Sequence, residues 1–304
     1  MHCKQWAAIV SGPSLNRTRV PNQDRTKPMN FKYRALRLML IPVRLTGRGV
    51  RSHYGRQLSL LWRWLFKSRE HTNFTYDLTR LNRRYLARFL SIVCDKPPEK
   101  MEEYLLEVIN DEQLRNHIIQ MTETSARCYL ADEEARYSRR IGWYAIVRAM
   151  KPRVVVETGV DKGLGTVCLA AAIMRNSEEG HPGYVYGIDI NPKAGYLLSE
   201  PYNQFGQLLF SDSIESLKAL DVNVDLFIND SDHSVEYEML EFETIAPKLS
   251  ANAIILGDNS HFSDKLINFA EKTNRNFLFF QESPQDHWYP GAGIGAAYSR
   301  QEIA

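Results

Sequence analysis

Apolar residues along this chain recur with two periods, and the period changes near Val154. Downstream, short β-branched and aromatic runs alternate with stretches whose apolar positions are spaced by three and four. Val154-Val155-Val156, Tyr184–Ile188 and residues 207–210, 224–228, 253–256, 276–280 and 294–298 read as strands. An Ala/Leu/Ile-rich stretch reaching Met174 and residues 213–220, 233–245 and 263–272 read as the helices between them. Strands alternating with helices predict a mostly parallel sheet with helices on both faces. The unbroken apolar character of Val154-Val155-Val156 fits a strand buried on both sides.

Upstream the pattern is helical. Thr75 is positioned to cap a helix carrying Leu78, Leu81, Tyr85, Leu86, Phe89, Leu90 and Val93, which Pro97-Pro98 ends. Met101, Tyr104, Leu105, Val108 and Ile109 form a second stripe. Asn110 with Gln113 makes a capping box for a third helix. A fourth is expected from Asp132 to Met150, stopping before Pro152. Residues 71–150 are therefore expected to be a helical region beside the sheet domain of residues 151–304. Residues 1–30 lack any period and read as a disordered basic tail. Residues 31–70 interleave Arg and Lys with Leu, Trp and Phe, a basic amphipathic segment. Such a segment can lie on an anionic membrane surface, or dock on an acidic protein surface of this chain or a partner subunit. No run reaches the roughly 18–20 apolar residues of a membrane span.

Charge sharpens this division. The chain of 304 residues carries a net +2, but residues 1–70 hold 15 Lys/Arg against Asp24 and Glu70, or +13. The remainder carries +2 − 13 = −11. A basic arm precedes an acidic body. No nucleic-acid-binding motif accompanies the basic residues, so no nucleic-acid partner is expected. The four cysteines, Cys3, Cys94, Cys128 and Cys168, form no C-x-x-C pair. That argues against a zinc site or a disulfide framework and fits a cytoplasmic protein, peripheral to the inner membrane face if the basic arm binds lipid.

The candidate chemistry lies where the strands end. Glu157-Thr158-Gly159 follows the first strand, and Gly163 and Gly165 follow in turn. This G-x-x-x-G-x-G spacing differs from the G-x-G-x-x-G of dinucleotide sites. A carboxylate at Glu157 would repel a pyrophosphate and suits a cationic ligand. Asp189 ends the second strand, where an acid can accept both ribose hydroxyls. The stretch resembles the first motif and following acidic position of class I S-adenosylmethionine-dependent methyltransferases. The resemblance implies a Rossmann-like seven-stranded methyltransferase sheet, mostly parallel with the last strand antiparallel, behind an N-terminal helical region. It implies S-adenosylmethionine on Glu157, Gly159, Gly163, Asp189, Asp212 and Ser213. Asp212 and Ser213 also suit a helix cap.

Further acids, Asp230, Asp232 and Asp258, accumulate along the same strand ends without bases in the same segments, which points to cationic ligands. Asp230 and the pair Asp258-Asn259 resemble the metal-dependent small-molecule O-methyltransferases of the catechol and caffeoyl-CoA type. By that resemblance these three hold Mg²⁺ or a similar divalent cation against a substrate hydroxyl. His233 resembles instead the macrolide-sugar methyltransferases, where it would act as general base. The resemblance extends to cephalosporin hydroxylase-like proteins. It implies methyl transfer to a hydroxyl of a small molecule or sugar. A homo-oligomer is a further expectation for the chain. A nicotinamide-dependent Rossmann enzyme and a non-catalytic, membrane-associated scaffold are the competing readings. The aromatic loop 284–293 either lines a substrate pocket or plugs the space between sheet and helices.

Overall fold

The computed structural model describes residues 31–47, 54–69, 75–130, 134–231 and 234–299. The expected tail of residues 1–30 lies outside them. Contacts divide the chain after Gly55. The first unit contributes one described helix, α1 (Phe31–Thr46), which carries Pro42 inside it.

The second unit opens with α2 (Arg56–Lys67), followed by α3 (Arg80–Cys94), α4 (Pro98–Ile109), α5 (Glu112–Thr124) and α6 (Arg140–Met150). The α/β part then runs β1 (Val154–Thr158), α7 (Leu164–Glu178), β2 (Tyr184–Ile188), β3 (Gly206–Leu209), α8 (Ser213–Ala219) and β4 (Val224–Asn229). It closes with α9 (Val235–Ile245), β5 (Leu249–Gly257), α10 (Lys265–Lys272), β6 (Arg275–Gln281) and β7 (Gly293–Ser299). The seven strands form one sheet in the order β3-β2-β1-β4-β5-β7-β6. The pairs among β1 to β5 are parallel. β7 runs antiparallel to both β5 and β6. This is the expected Rossmann-like methyltransferase sheet.

The period-2 alternation of the strands sorts their side chains into two cores. Val155, Leu226, Ile228, Ile254 and Leu256 face one side, together with α3, α4, α6 and α7. Val156, Phe227 and Ile255 face the other, with Phe242 of α9 and Leu266, Phe269 and Ala270 of α10. Both faces are sealed, which is why the strands could be read as plain apolar runs. Residues 80–150 pack into the same core as the sheet.

Several helix starts differ from expectation. α3 begins later than Thr75: its cap is Thr79, whose Oγ1 accepts from Asn82 N at 3.2 Å. The backbone of Asp77 and Leu78 is spent on the loop after β6 instead, where Gln285 N donates to Asp77 O and Leu78 bridges Pro284. Asn82 locks that contact by donating to Gln281 O and accepting from Ser283 N. α5 is capped by Asp111, not by an Asn110 box, since Asp111 Oδ1 accepts from Leu114 N at 2.9 Å. α6 starts at Arg140, not at Asp132. Ser138 turns the chain with φ +46, and its amide donates to Tyr76 O.

Candidate active site

The strand order reverses direction between β1 and β4, and in open α/β sheets ligands bind beyond the C-terminal strand ends at such a point. A cavity of about 860 Å³ lies there. Its walls carry Gly159, Asp189, Asp212, Ser213, Asp230, Asp258 and Asn259. Seven of the expected site residues thus share one cavity. Glu157 and Gly163 do not line it. His233, and Asp232 beside it, lie outside the described residues.

The loop after β1 is built by close backbone approach. Gly159 adopts φ +84, and a Cβ there would collide with the Asp230 carbonyl. Only glycine lets the β1 and β4 ends meet so closely. Asp189 organises the next residues: its Oδ2 accepts from Val160 N at 3.1 Å and Asp161 N at 2.9 Å, and its Oδ1 from Asn191 N at 2.8 Å. A carboxylate has about four acceptor positions, so Asp189 still has capacity for a ligand hydroxyl. Gly163 has φ +93 and stands at the start of α7, where a Cβ would press on Gly195.

Glu157 points away from the cavity. It is 1% exposed, and Thr166 Oγ1 donates to its Oε2 at 2.6 Å. A Cβ on Gly165 would run into this carboxyl and into Trp143. Burial pushes its pKa up to about 7. Asp212 caps α8, accepting from Ile214 N and Glu215 N, while Tyr237 Oη donates to its other oxygen at 2.8 Å. That hydroxyl bond holds the Asp212 carboxyl below its usual range. Ser213 Oγ lies 2.9 Å from the same Tyr237 oxygen. The cap and the cavity wall are therefore one structure.

The acids are compensated, contrary to the expectation from their own segments. The bases come from the helical region. Arg127 pairs with Asp161 at 3.2 Å. Arg139, at the start of α6, places its Nε on Asp258 Oδ1 and its terminal nitrogens 3.8 Å from Asp230 and 3.7 Å from Glu282. Arg140 stands 3.7 Å from Asp230 Oδ2. Glu282 also accepts from Tyr76 Oη at 2.8 Å and Ala292 N at 3.2 Å. Burial would lower the Arg139 pKa, but Asp258, Asp230 and Glu282 hold it above its ordinary value. Burial, and then repulsion from Asp258, raises the Asp230 carboxyl well above its usual range, against the pull of Arg139 and Arg140.

A divalent ion does not fit this set. Asp230, Asp258 and Asn259 converge as expected, but the cation between the two carboxylates is the Arg139 guanidinium. A metal would have to displace it and sit against Arg140 as well. Among the described residues no group of three or more His, Cys, Asp or Glu is arranged to hold a metal.

Arg139, Arg140, Glu282 and Tyr237 were not foreseen as site residues. The sequence carried one signal for the arginines: an adjacent pair, Arg139-Arg140, before the apolar Ile141–Val147 stretch of an otherwise acidic body. The loop 284–293 does both of the things its composition allowed. Tyr289 and Ala292 line the cavity, while Trp288 packs on Trp64 of α2 with ring centroids 4.8 Å apart.

Residues 156–260 match the family model of a methyltransferase domain. Among solved structures, the chain is similar to the S-adenosylhomocysteine-bound methyltransferase PaMTH1 of Podospora anserina. The identity is 15%, covering 62% of this chain and 88% of that one, with a TM-score of 0.45. It is similar to the O-methyltransferase TomG of Streptomyces achromogenes, involved in tomaymycin synthesis and solved with S-adenosylmethionine. There the identity is 14%, the coverage 63% and 91%, and the TM-score 0.45. An O-methyltransferase from Bacillus cereus, solved with S-adenosylhomocysteine, matches at 16% identity over 71% and 97% of the two chains, with a TM-score of 0.40. No curated protein matches the chain.

Proposed function

We propose that this chain, whose residues 156–260 match the family model of a methyltransferase domain, transfers a methyl group from S-adenosylmethionine to a hydroxyl of a small molecule or sugar. The observation that carries this reading is the single cavity joining Asp189, Asp212 and Ser213 at one end to Asp230 and Asp258 at the other. Asp189 takes the ribose hydroxyls with the acceptor positions its loop amides leave. Asp212 and Ser213 stand on the adenine side. Asp161 and Asp189 suit the sulfonium and ammonium of the cofactor, and Arg127 and Arg140 suit its carboxylate. No phosphate-binding feature is needed, since the cofactor has no phosphate.

The acceptor hydroxyl lies on the Asp230 side, between Tyr289 and His261, which line that end of the cavity. Its oxygen forms a bond to the methyl carbon as the carbon–sulfur bond breaks, and the electron pair stays on sulfur. The hydroxyl proton passes to His233, which follows β4 closely in sequence and is the proposed base. Positioning supplies most of the acceleration in such a displacement. Metal assistance forms no part of the proposal, because the described acids are already compensated by Arg139 and Arg140.

Calorimetric titration with S-adenosylmethionine tests the cofactor site. Asp189→Asn keeps one acceptor oxygen, enough for Val160 N and Asp161 N, gives up the second acceptor that Asn191 N uses, and removes the charge facing the ribose. A weakening of about 10- to 100-fold is expected, the worth of one charge-assisted hydrogen bond at about 1.5–3 kcal/mol. Release of S-adenosylhomocysteine from a panel of hydroxylated acceptors should then proceed equally with and without EDTA. Folded wild type that takes no S-adenosylmethionine would overturn the reading.

A further inference from the structure

α2 carries two apolar faces, and among the described residues only one of them is packed. Leu60 is buried and Trp64 packs on Trp288. At 100° per residue, Leu58, Trp62, Leu65 and Phe66 occupy a separate arc of about 100° on the outward side. Trp62 is 59% exposed, Phe66 76%, Leu58 56% and Leu65 54%. Trp62 and Phe66 stack on each other at 5.5 Å with rings nearly parallel, so the stripe is an ordered surface. Arg56, Arg63 and Lys67 lie on the strip between that arc and buried Leu60, where Arg63 and Lys67 also border a cavity with Asp77, Glu134 and Asp286, and α2 contains no acid. Arg56 reaches Asp286, whereas Arg63 and Lys67 have no ion pair among the described residues.

We propose that this face of α2 is an interfacial anchor that seats the second unit on an anionic lipid surface. The occupant is set by charge. A second copy meeting this face with its own α2 would bring two cationic strips together around the apolar stripe. A layer of anionic headgroups neutralises the strip and admits the Trp62 and Phe66 rings to the acyl boundary. Among the described residues no helix is long and apolar enough to cross a membrane, so the contact is peripheral. Taken by itself, α1 has a similar make-up, with Leu36, Leu38, Met39, Ile41 and Val43 exposed on a helix that also carries Arg37 and Arg44. The inference does not depend on the methyl-transfer reading.

Flotation of the full-length chain with phosphatidylcholine vesicles, with and without 30% phosphatidylserine, tests it. Wild type is expected to float with the anionic vesicles only, and to be released as salt screens the headgroups. The double variant Trp62→Ser/Phe66→Ser should lose at least tenfold in lipid affinity. Arg63→Glu/Lys67→Glu should lose a comparable amount and lose its salt dependence. All these side chains are exposed, so thermal unfolding should be unchanged in both variants. Wild type that ignores anionic vesicles overturns the proposal. So does unchanged affinity in the Trp62/Phe66 variant, which would assign the lipid contact to residues outside α2. Dimerisation in sedimentation that Trp62→Ser abolishes, without lipid binding, would give the face to a second copy.

Discussion

Glu157 is a carboxyl placed where water does not reach. Its pKa stands at about 7 against an ordinary 4.5, with burial as the leading cause. Below pH 4.5 the group is protonated in both the folded and unfolded chain, and burial is cheap. As pH rises from 4.5 to 7 the unfolded chain ionises first, so stability falls across that window. The full loss, reached above pH 7, corresponds to about 3 kcal/mol. Glu157→Gln keeps an acceptor for Thr166 and removes the charge. In urea unfolding it should match wild type near pH 4.5 and exceed it by about 1–3 kcal/mol at pH 8. An unchanged pH slope would show that the ionised carboxyl is not disfavoured there. Residue identity and spacing were enough to find Asp189, Asp212 and Asp230, because each sits at a strand end and strand ends are legible. They could not show where a side chain points. Glu157 occupies a motif position as apt as that of Asp189, yet it is buried beneath the loop with its Oε2 accepting from Thr166.

The elements themselves were legible where periodicity dominates. All seven strands were expected, and β2 with the bounds observed, because burial on both faces of the central strands and apolar or aromatic runs at the edge strands stand out against the helical spacing. Helix starts were less legible, since caps depend on which backbone groups are already taken. Thr75 has the right side chain for a cap, but its neighbours Asp77 and Leu78 are paired to the loop after β6, and the role falls to Thr79. Glycines are the converse case, positions where an element tolerates one residue only. Gly159→Ala adds a Cβ against the Asp230 carbonyl in a conformation that already costs an L-residue about 1–2 kcal/mol. The ends of β1 and β4 must then part. Gly159→Ala is expected to lose measurable S-adenosylmethionine binding and to lower the melting temperature. Gly180→Ala, which also has positive φ but meets nothing, should lose stability alone. Equal cofactor affinity in the two variants would sink the view that the close approach at Gly159 shapes the site.

At the scale of the whole molecule, Arg139 ties the helical region to the sheet. One guanidinium meets Asp258 after β5, Asp230 after β4 and Glu282 after β6, while Tyr76 reaches the same Glu282 from the segment before α3. Apart from the adjacent pair Arg139-Arg140, no local pattern announces this junction, since its members are distant in sequence. It explains why an acid-rich sheet edge read by itself suggested a bound metal. The missing positive charge was supplied by another part of the fold. Removing one member of a buried ion-pair cluster costs about 3–5 kcal/mol because the partners stay behind uncompensated. Arg139→Met should therefore be destabilised by that order at pH 7.5. The penalty should shrink as pH falls, because Asp230, already raised by burial and by Asp258, takes up a proton and relieves the repulsion. Arg139→Lys keeps the charge without the planar fork and should recover part of the loss. Urea unfolding of the three proteins at pH 7.5 and 5.5, each with and without Mg²⁺, separates the alternatives. An arginine-centred cluster predicts no effect of Mg²⁺ on wild type. If Mg²⁺ stabilises wild type and that effect disappears in Asp230→Asn, the acids hold a metal and the arginine is a bystander.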